Sequence, residues 1–190
     1  TDITLTYALV EVPQFMKDHF TLVAMSNLRL ANAKFLKGCT GMNLDVLARQ
    51  PFWERGLNFN HGTGHGVGYL LNIHEGPAGF RFQYREGETD VLQEGMIITD
   101  EPGIYIEGSH GIRLENELLV REGEKNEYGQ FMYFDTITFV PMDLDALNPE
   151  MMTAEDKKHL NDYHKEVFEK VSPYLNDEEV EFLKKYTREI

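Results

Sequence analysis

The sequence predicts an α+β fold, with a mixed body over residues 1–142 and a helical extension over residues 143–190. Three observations point there. Apolar residues alternate in some stretches and recur at helical spacing in others, so strands and helices are both present. Carboxylates are embedded in two of the apolar, strand-like runs. After Asp143 the composition shifts and only helical patterns remain. At 190 residues and 42% hydrophobic, the chain is long enough to bury one full core.

Taken in order, Asp2 to Leu9 alternate, with Ile3, Leu5, Tyr7 and Leu9 sharing one face, which predicts a half-buried strand. From Pro13 to about Phe35, the residues Phe15, His19, Leu22, Met25, Leu28 and Ala31 recur at helical spacing, with Gly38 beyond the end. A shorter helix is expected from Asn43 to Arg55, running into Gly56. His61 to Gly68 is too glycine-rich for a helix, and Glu75-Gly76-Pro77 signals a turn. Strands follow over Met96–Glu101, Ile104–Ile106, Ile112–Leu119 and Phe131–Val140, with Pro102-Gly103 separating the first two. Thr153, with Asp156 three residues on, opens a helix reaching about Val171. Ser172-Pro173 interrupts it, and Asp177 begins a last helix through Tyr186.

The charge balance excludes some partners. Thirty-two carboxylates against 18 Lys and Arg give a net charge of -14, which repels nucleic acid and anionic membrane surfaces. A solvated surface accounts for much of that charge, and an acidic cleft would still attract a peptide's ammonium group. Cys39 is the only cysteine, so no internal disulfide forms and a reducing, cytoplasmic compartment is expected. No apolar run approaches the ~20 residues of a membrane helix. Thr1-Asp2-Ile3-Thr4 lacks an initiator Met and the features of a signal peptide, which suggests a piece of a longer chain.

The residues that carry chemistry are Asp2, His61, His65, His74, Glu101 and Glu115. Carboxylates inside apolar strands are costly to bury unless something positive balances them. Period-2 geometry puts Arg113, Glu115 and Glu117 on one face, so from spacing alone Glu115 reads equally well as a functional carboxylate and as an ion-pair partner of Arg113 or a solvated edge-strand residue. Glu101 also reads as a carboxylate capping the Pro102-Gly103 bend. His61 and His65 are spaced as in helical zinc-protease motifs, but Gly62, Gly64, Gly66 and Gly68 argue for close backbone approach instead. A phosphate loop is disfavoured, because no Gly-Lys-Ser/Thr is present. Several carboxylates with an imidazole and no thiolate suit Mn, Co, Fe or Zn.

These residues resemble a known family. His61-Gly-Thr-Gly-His65-Gly-Val-Gly through His74-Glu-Gly-Pro77, Thr99-Asp-Glu101-Pro-Gly and Gly111-Ile-Arg113-Leu-Glu115-Asn are similar to the motifs of three-domain aminopeptidases P, which are pita-bread metallopeptidases. Thr1-Asp2-Ile3-Thr4 and the tail segments Leu160–His164 and Ser172–Leu175 resemble the family too. The resemblance implies the C-terminal part of a pita-bread fold with a helical tail, and release of an N-terminal residue that precedes proline. It implies two divalent metal ions, most readily Mn, with Co, Zn or Fe as alternatives. Asp2, His65, Glu101 and Glu115 would be the ligands, and Glu101 would also act as general base. His61 and His74 would hold the scissile carbonyl, Arg113 would orient the second glutamate, and the tail would form a homodimer. The partner would be a peptide with proline second. Prolidase, with the same ligands, and a non-catalytic binding module are the alternatives. A family aspartate and a family histidine lie upstream of Thr1, so the 190 residues alone are expected to be inactive. Leu5 replaces a common arginine, and Asp100 stands where asparagine is frequent and is expected to act on Glu101 by like-charge repulsion.

Overall fold

The computed structural model describes residues 2–70, 72–86 and 90–190. The first helix, α1, spans Gln14–Ala31 and enters through Pro13, whose φ of -63° suits a helix start. It ends earlier than the periodicity suggests. Asn32 caps it with its side-chain Nδ2 donating to the Leu28 carbonyl at 2.8 Å, and this frees Phe35–Leu36 to form a short strand, β1. Helix α2 covers Gly41–Trp53, where the Thr40 N–H donates to Asn43 Oδ1 at 2.8 Å. Gly56, at φ +68°, lets the chain leave in the left-handed region.

The strands are β2 (Gly64–His65), β3 (Gly79–Phe80), β4 (Ile97–Asp100), β5 (Gly103–Ile106), β6 (His110–Arg113), β7 (Asn116–Asn126) and β8 (Gly129–Thr136). They form one antiparallel sheet in the order β1-β8-β7-β4 and two small pairs, β2-β3 and β5-β6. The tail holds α3 (Ala154–Val171), a 3-10 turn at Ser172–Tyr174, and α4 (Asp177–Tyr186). Helices beside an antiparallel sheet make this the expected α+β architecture.

Two apolar clusters hold it together. One gathers Phe20, Leu22 and Met25 of α1, Ile104 and Ile112 of the β5-β6 pair, and Leu160 and Val167 of α3. The other packs Leu30, Leu44 and Ala48 against Phe80, Ile98, Leu118 and Val120. Helix α1 contributes to both. Arg29 of α1 also grips Asp156 of α3 through two bonds of 2.8 and 2.9 Å. Burial alone would raise the Asp156 carboxyl, but the bonds from Arg29 and Thr153 outweigh it and hold the group below its ordinary range.

Three expected strands differ. Asp2 to Leu9 form no strand, and Leu9 is 93% exposed. That segment is pinned instead by scattered anchors: the Thr4 carbonyl accepts from Glu115 N–H at 2.7 Å, and Ala8 N–H donates to Asp143 Oδ2 at 2.8 Å. The expected run Ile112–Leu119 is two strands broken at Leu114-Glu115. The reason is packing, because Ile112 and Leu114 belong to the first cluster and Leu118 to the second, so the chain must bend between them. The break removes Glu115 from a common strand face with Arg113. The last strand stops at Thr136 instead of Val140, and β7 extends far past Leu119 into a hairpin with β8.

The tail contains a titratable weak point. His164 is fully buried, and its Nε2 accepts from Met142 N–H at 3.0 Å. Burial, then the charge of Arg188, pushes its pKa down to about 4. The unfolded chain takes up this proton near the usual ~6.5, whereas the folded chain takes it up only near 4, so stability falls as pH drops through that window. The loss should reach on the order of 2–3 kcal/mol. Thermal melts from pH 7 to pH 4 should show it, and His164→Gln, which keeps an acceptor for Met142, should flatten the dependence. Equal pH dependence in both proteins would contradict this role for His164.

Candidate metal centre

The glycine-rich loop reaches its place because glycine leaves room. A Cβ on Gly64 would lie 1.7 Å from the Thr99 carbonyl oxygen, so only glycine lets β2 lie against β4. The neighbouring Gly66 bridges Ile98. The start of the loop is tied to α2, where Asp45 and Arg49 are buried and 2.5 Å apart. Arg49 donates to the carbonyls of Phe59 and His61, and Asp45 accepts from the Thr63 hydroxyl.

That frame sets the reacting side chains. His65 N–H donates to Thr99 Oγ1 at 3.0 Å, and the same hydroxyl donates to Glu101 Oε1 at 3.1 Å. The His65 ring bonds the Gly66 carbonyl through Nδ1 at 3.0 Å, which places a proton on that nitrogen. Its Nε2 then faces Glu101 Oε1 at 3.3 Å and Asp2 Oδ2 at 3.4 Å. A ring nitrogen lone pair opposite two carboxylates sets three donor atoms toward one another, an arrangement that a bound cation would relieve.

Glu115 adds to that arrangement. Its backbone N–H is held by Thr4, and its Oε2 is buried with no partner among the described residues. Burial raises its pKa, and the charges of Glu101 and Asp2 add to the rise against a hydrogen bond from Thr4. His65, Glu101 and Glu115 offer ligand atoms within 4.8 Å of one another, and so do Asp2, His65 and His74. His65 is shared by the two groups. An orphaned carboxylate oxygen beside imidazole and carboxylate donors, with no thiolate, fits a hard or borderline divalent ion.

The remaining predicted residues surround this cluster. His74 packs its ring on His65, with centroids 4.3 Å apart. Arg113 lies 3.6 Å from Glu101 Oε2 and donates to the Tyr105 hydroxyl at 2.9 Å. Its charge also acts on Glu115. His61 stands apart from both ligand groups, packed on Phe59 and Tyr105, with Nδ1 donating to the Gly62 carbonyl at 2.7 Å. Burial lowers its pKa first, so it is held neutral with Nε2 as an acceptor. Like-charge repulsion falls on Asp100 itself. Burial, then Glu101, Glu115 and Asp45, drive that fully buried carboxyl well above its ordinary value.

Several contributors escaped the sequence reading. Glu117 accepts from the Asp2 N–H at 2.6 Å, Thr99 bridges His65 and Glu101, and Asp45 with Arg49 anchors the loop. The available signal was an Asp and an Arg four apart on the apolar face of α2.

The profile of metallopeptidase family M24 matches residues 1–122, and the profile of its C-terminal region matches residues 130–190. A probable Xaa-Pro aminopeptidase P of Pyrenophora teres f. teres is 43% identical over 98% of this chain. The crystal structure of X-prolyl aminopeptidase from Caenorhabditis elegans, described as a cytosolic enzyme with a di-nuclear active site, superposes over 100% of the chain with a TM-score of 0.91 at 35% identity. Xaa-Pro dipeptidase from Bacillus anthracis superposes over 76% of the chain, with a TM-score of 0.59 at 36% identity and 36% of its own length covered. The chain spans 29% of the Pyrenophora relative and 31% of the Caenorhabditis chain.

The geometry of the loop gives a direct test. Gly64→Ala must displace backbone, because its Cβ would meet the Thr99 carbonyl, so it should destabilise by at least ~2–3 kcal/mol. A melting temperature within a degree of the parent's would show that β2 and β4 do not approach this closely.

Proposed function

The chain belongs to metallopeptidase family M24, and from that premise we propose that it forms the metal-bearing part of an X-Pro aminopeptidase. The observation that carries this choice is the helical extension. Likeness to the Caenorhabditis aminopeptidase runs through the whole chain, whereas likeness to the Bacillus dipeptidase covers 76% of it.

In this proposal, Asp2, His65, Glu101 and Glu115 contribute ligands to two divalent ions in the protein at its natural length, with Mn preferred and Co, Zn or Fe as alternatives. The donor set supports it, and so does the di-nuclear site of the Caenorhabditis enzyme. When bound, the ions supply Lewis acidity and a nucleophile from water at neutral pH. Glu101, steadied by Thr99 and Arg113, takes the proton of the attacking water and passes it to the proline nitrogen. That nitrogen belongs to a tertiary amide with no N–H, so it needs a proton in order to leave. His74, beside His65, would hold the scissile carbonyl, whereas His61, expected to share that role, has its Nδ1 proton bound to the Gly62 carbonyl and its Nε2 buried without a partner among the described residues. The proposed substrate is a peptide with proline second, a reading supported by the names of the Pyrenophora and Caenorhabditis relatives.

Residues 143–190 are proposed as a helical extension that pairs with a second copy, supported by Phe182 at 65% exposure on α4. Light scattering before and after its removal tests this. A cytoplasmic setting belongs to the same proposal. Among the described residues no helix is long and apolar enough to cross a membrane.

The decisive experiment uses the protein at its natural length with added Mn²⁺, comparing X-Pro dipeptides with longer X-Pro-Y peptides. Cleavage of the longer peptides is expected, and Glu101→Gln should lower turnover by ~10²-fold or more while the fold persists. Cleavage of dipeptides alone would make the protein a prolidase. No cleavage, or full turnover by the Gln variant, would overturn the assignment.

A further inference from the structure

Asn27 is fully buried in the middle of α1, among Val23, Ala24, Met25, Leu28 and Leu30. Asparagine is a poor helix residue there, and a buried amide left unpaired costs about 1–3 kcal/mol. Its side chain leaves the helix entirely. Nδ2 donates to the Asp100 carbonyl at 2.9 Å and, at a longer 3.4 Å, to the Leu114 carbonyl. Oδ1 accepts from Asn116 Nδ2 at 3.1 Å.

Those two carbonyls belong to the peptide units that lead directly into Glu101 and Glu115. The same units are held on their other side, where Glu101 N–H donates to Thr63 O and Glu115 N–H to Thr4 O, each at 2.7 Å. Both glutamates sit where regular pairing stops, at the end of β4 and in the break between β6 and β7. One amide therefore spans the two places where the ladder no longer fixes the backbone. Asn116 is itself braced, accepting from Thr138 Oγ1 at 2.9 Å and lying 3.2 Å from the Tyr163 hydroxyl of α3.

We propose that Asn27 is a positioning residue, which sets the spacing of Glu101 and Glu115 by clamping the peptide units before them. This rests on the reading of these glutamates as metal ligands. Ligand sets tolerate errors of only about half an ångström, and groups that orient ligands change metal affinity by about 10–100-fold when removed. Asn27 touches neither carboxylate, so it acts on the ligands through their backbone.

The test separates positioning from simple core packing. In the protein at its natural length, Asn27→Leu and Thr138→Val are compared with the parent by calorimetric Mn²⁺ titration and by melting without metal. Both variants disturb the same buried network, but only the first removes the clamp. Asn27→Leu should lose Mn²⁺ affinity by ~10–100-fold, while Thr138→Val binds as the parent does even if both melt lower. Should the Leu variant not fold, Asn27→Ser, which keeps one donor, should give an intermediate affinity. Parental affinity in the Asn27 variant, or equal losses in the Asn27 and Thr138 variants, would overturn the clamp alone. A parent that binds no Mn²⁺ would overturn the ligand reading as well.

Discussion

Three carboxylates, from Asp2, Glu101 and Glu115, converge on one imidazole, and like charges at such distances repel unless a cation lies between them. Most of the local architecture serves to hold that unfavourable arrangement. The His65 ring is turned by the Gly66 carbonyl so that Nε2 faces the acids, and Thr99 fixes both His65 and Glu101 through one hydroxyl. Asp100 shows the strain of the site most plainly, because burial beside three other carboxylates forces it toward the neutral acid.

The site is assembled from distant stretches of chain, so backbone placement matters more than any single contact. Gly64 lets the loop touch β4, and Arg49 of α2 holds the carbonyls that begin the loop. Helix α1 contributes to both apolar clusters and, through Asn27, reaches the backbone just before both glutamates. The break at Leu114-Glu115 follows from these two clusters, and it points Glu115 into the centre instead of along a strand face.

Much of this was legible in the residues. Glycines at every second position from Gly62 to Gly68 foretold close backbone approach, and carboxylates within apolar runs marked where His65, Glu101 and Glu115 gather. The capping box at Thr153 and the interruption at Ser172-Pro173 fixed the tail helices closely. What was not legible depends on three-dimensional partners. Alternation in Asp2–Leu9 suggested a ladder, but its anchors are single bonds to Glu115 and Asp143, far along the chain. Periodicity could not show that Ile112 and Leu118 serve different cores. Asn27 passed unremarked in the sequence, since the carbonyls it holds lie 73 and 87 residues away.

The central claim is that His65, Glu101, Glu115 and Asp2 converge because a divalent cation belongs among them. The most direct measurement is anomalous diffraction from crystals of the natural-length protein grown with Mn²⁺. The account predicts anomalous peaks within bonding distance of His65 Nε2 and of the Glu101 and Glu115 carboxylates. Crystals grown in Mn²⁺ that show no peak there, with His65 paired directly to Asp2 and Glu101 instead, would contradict it.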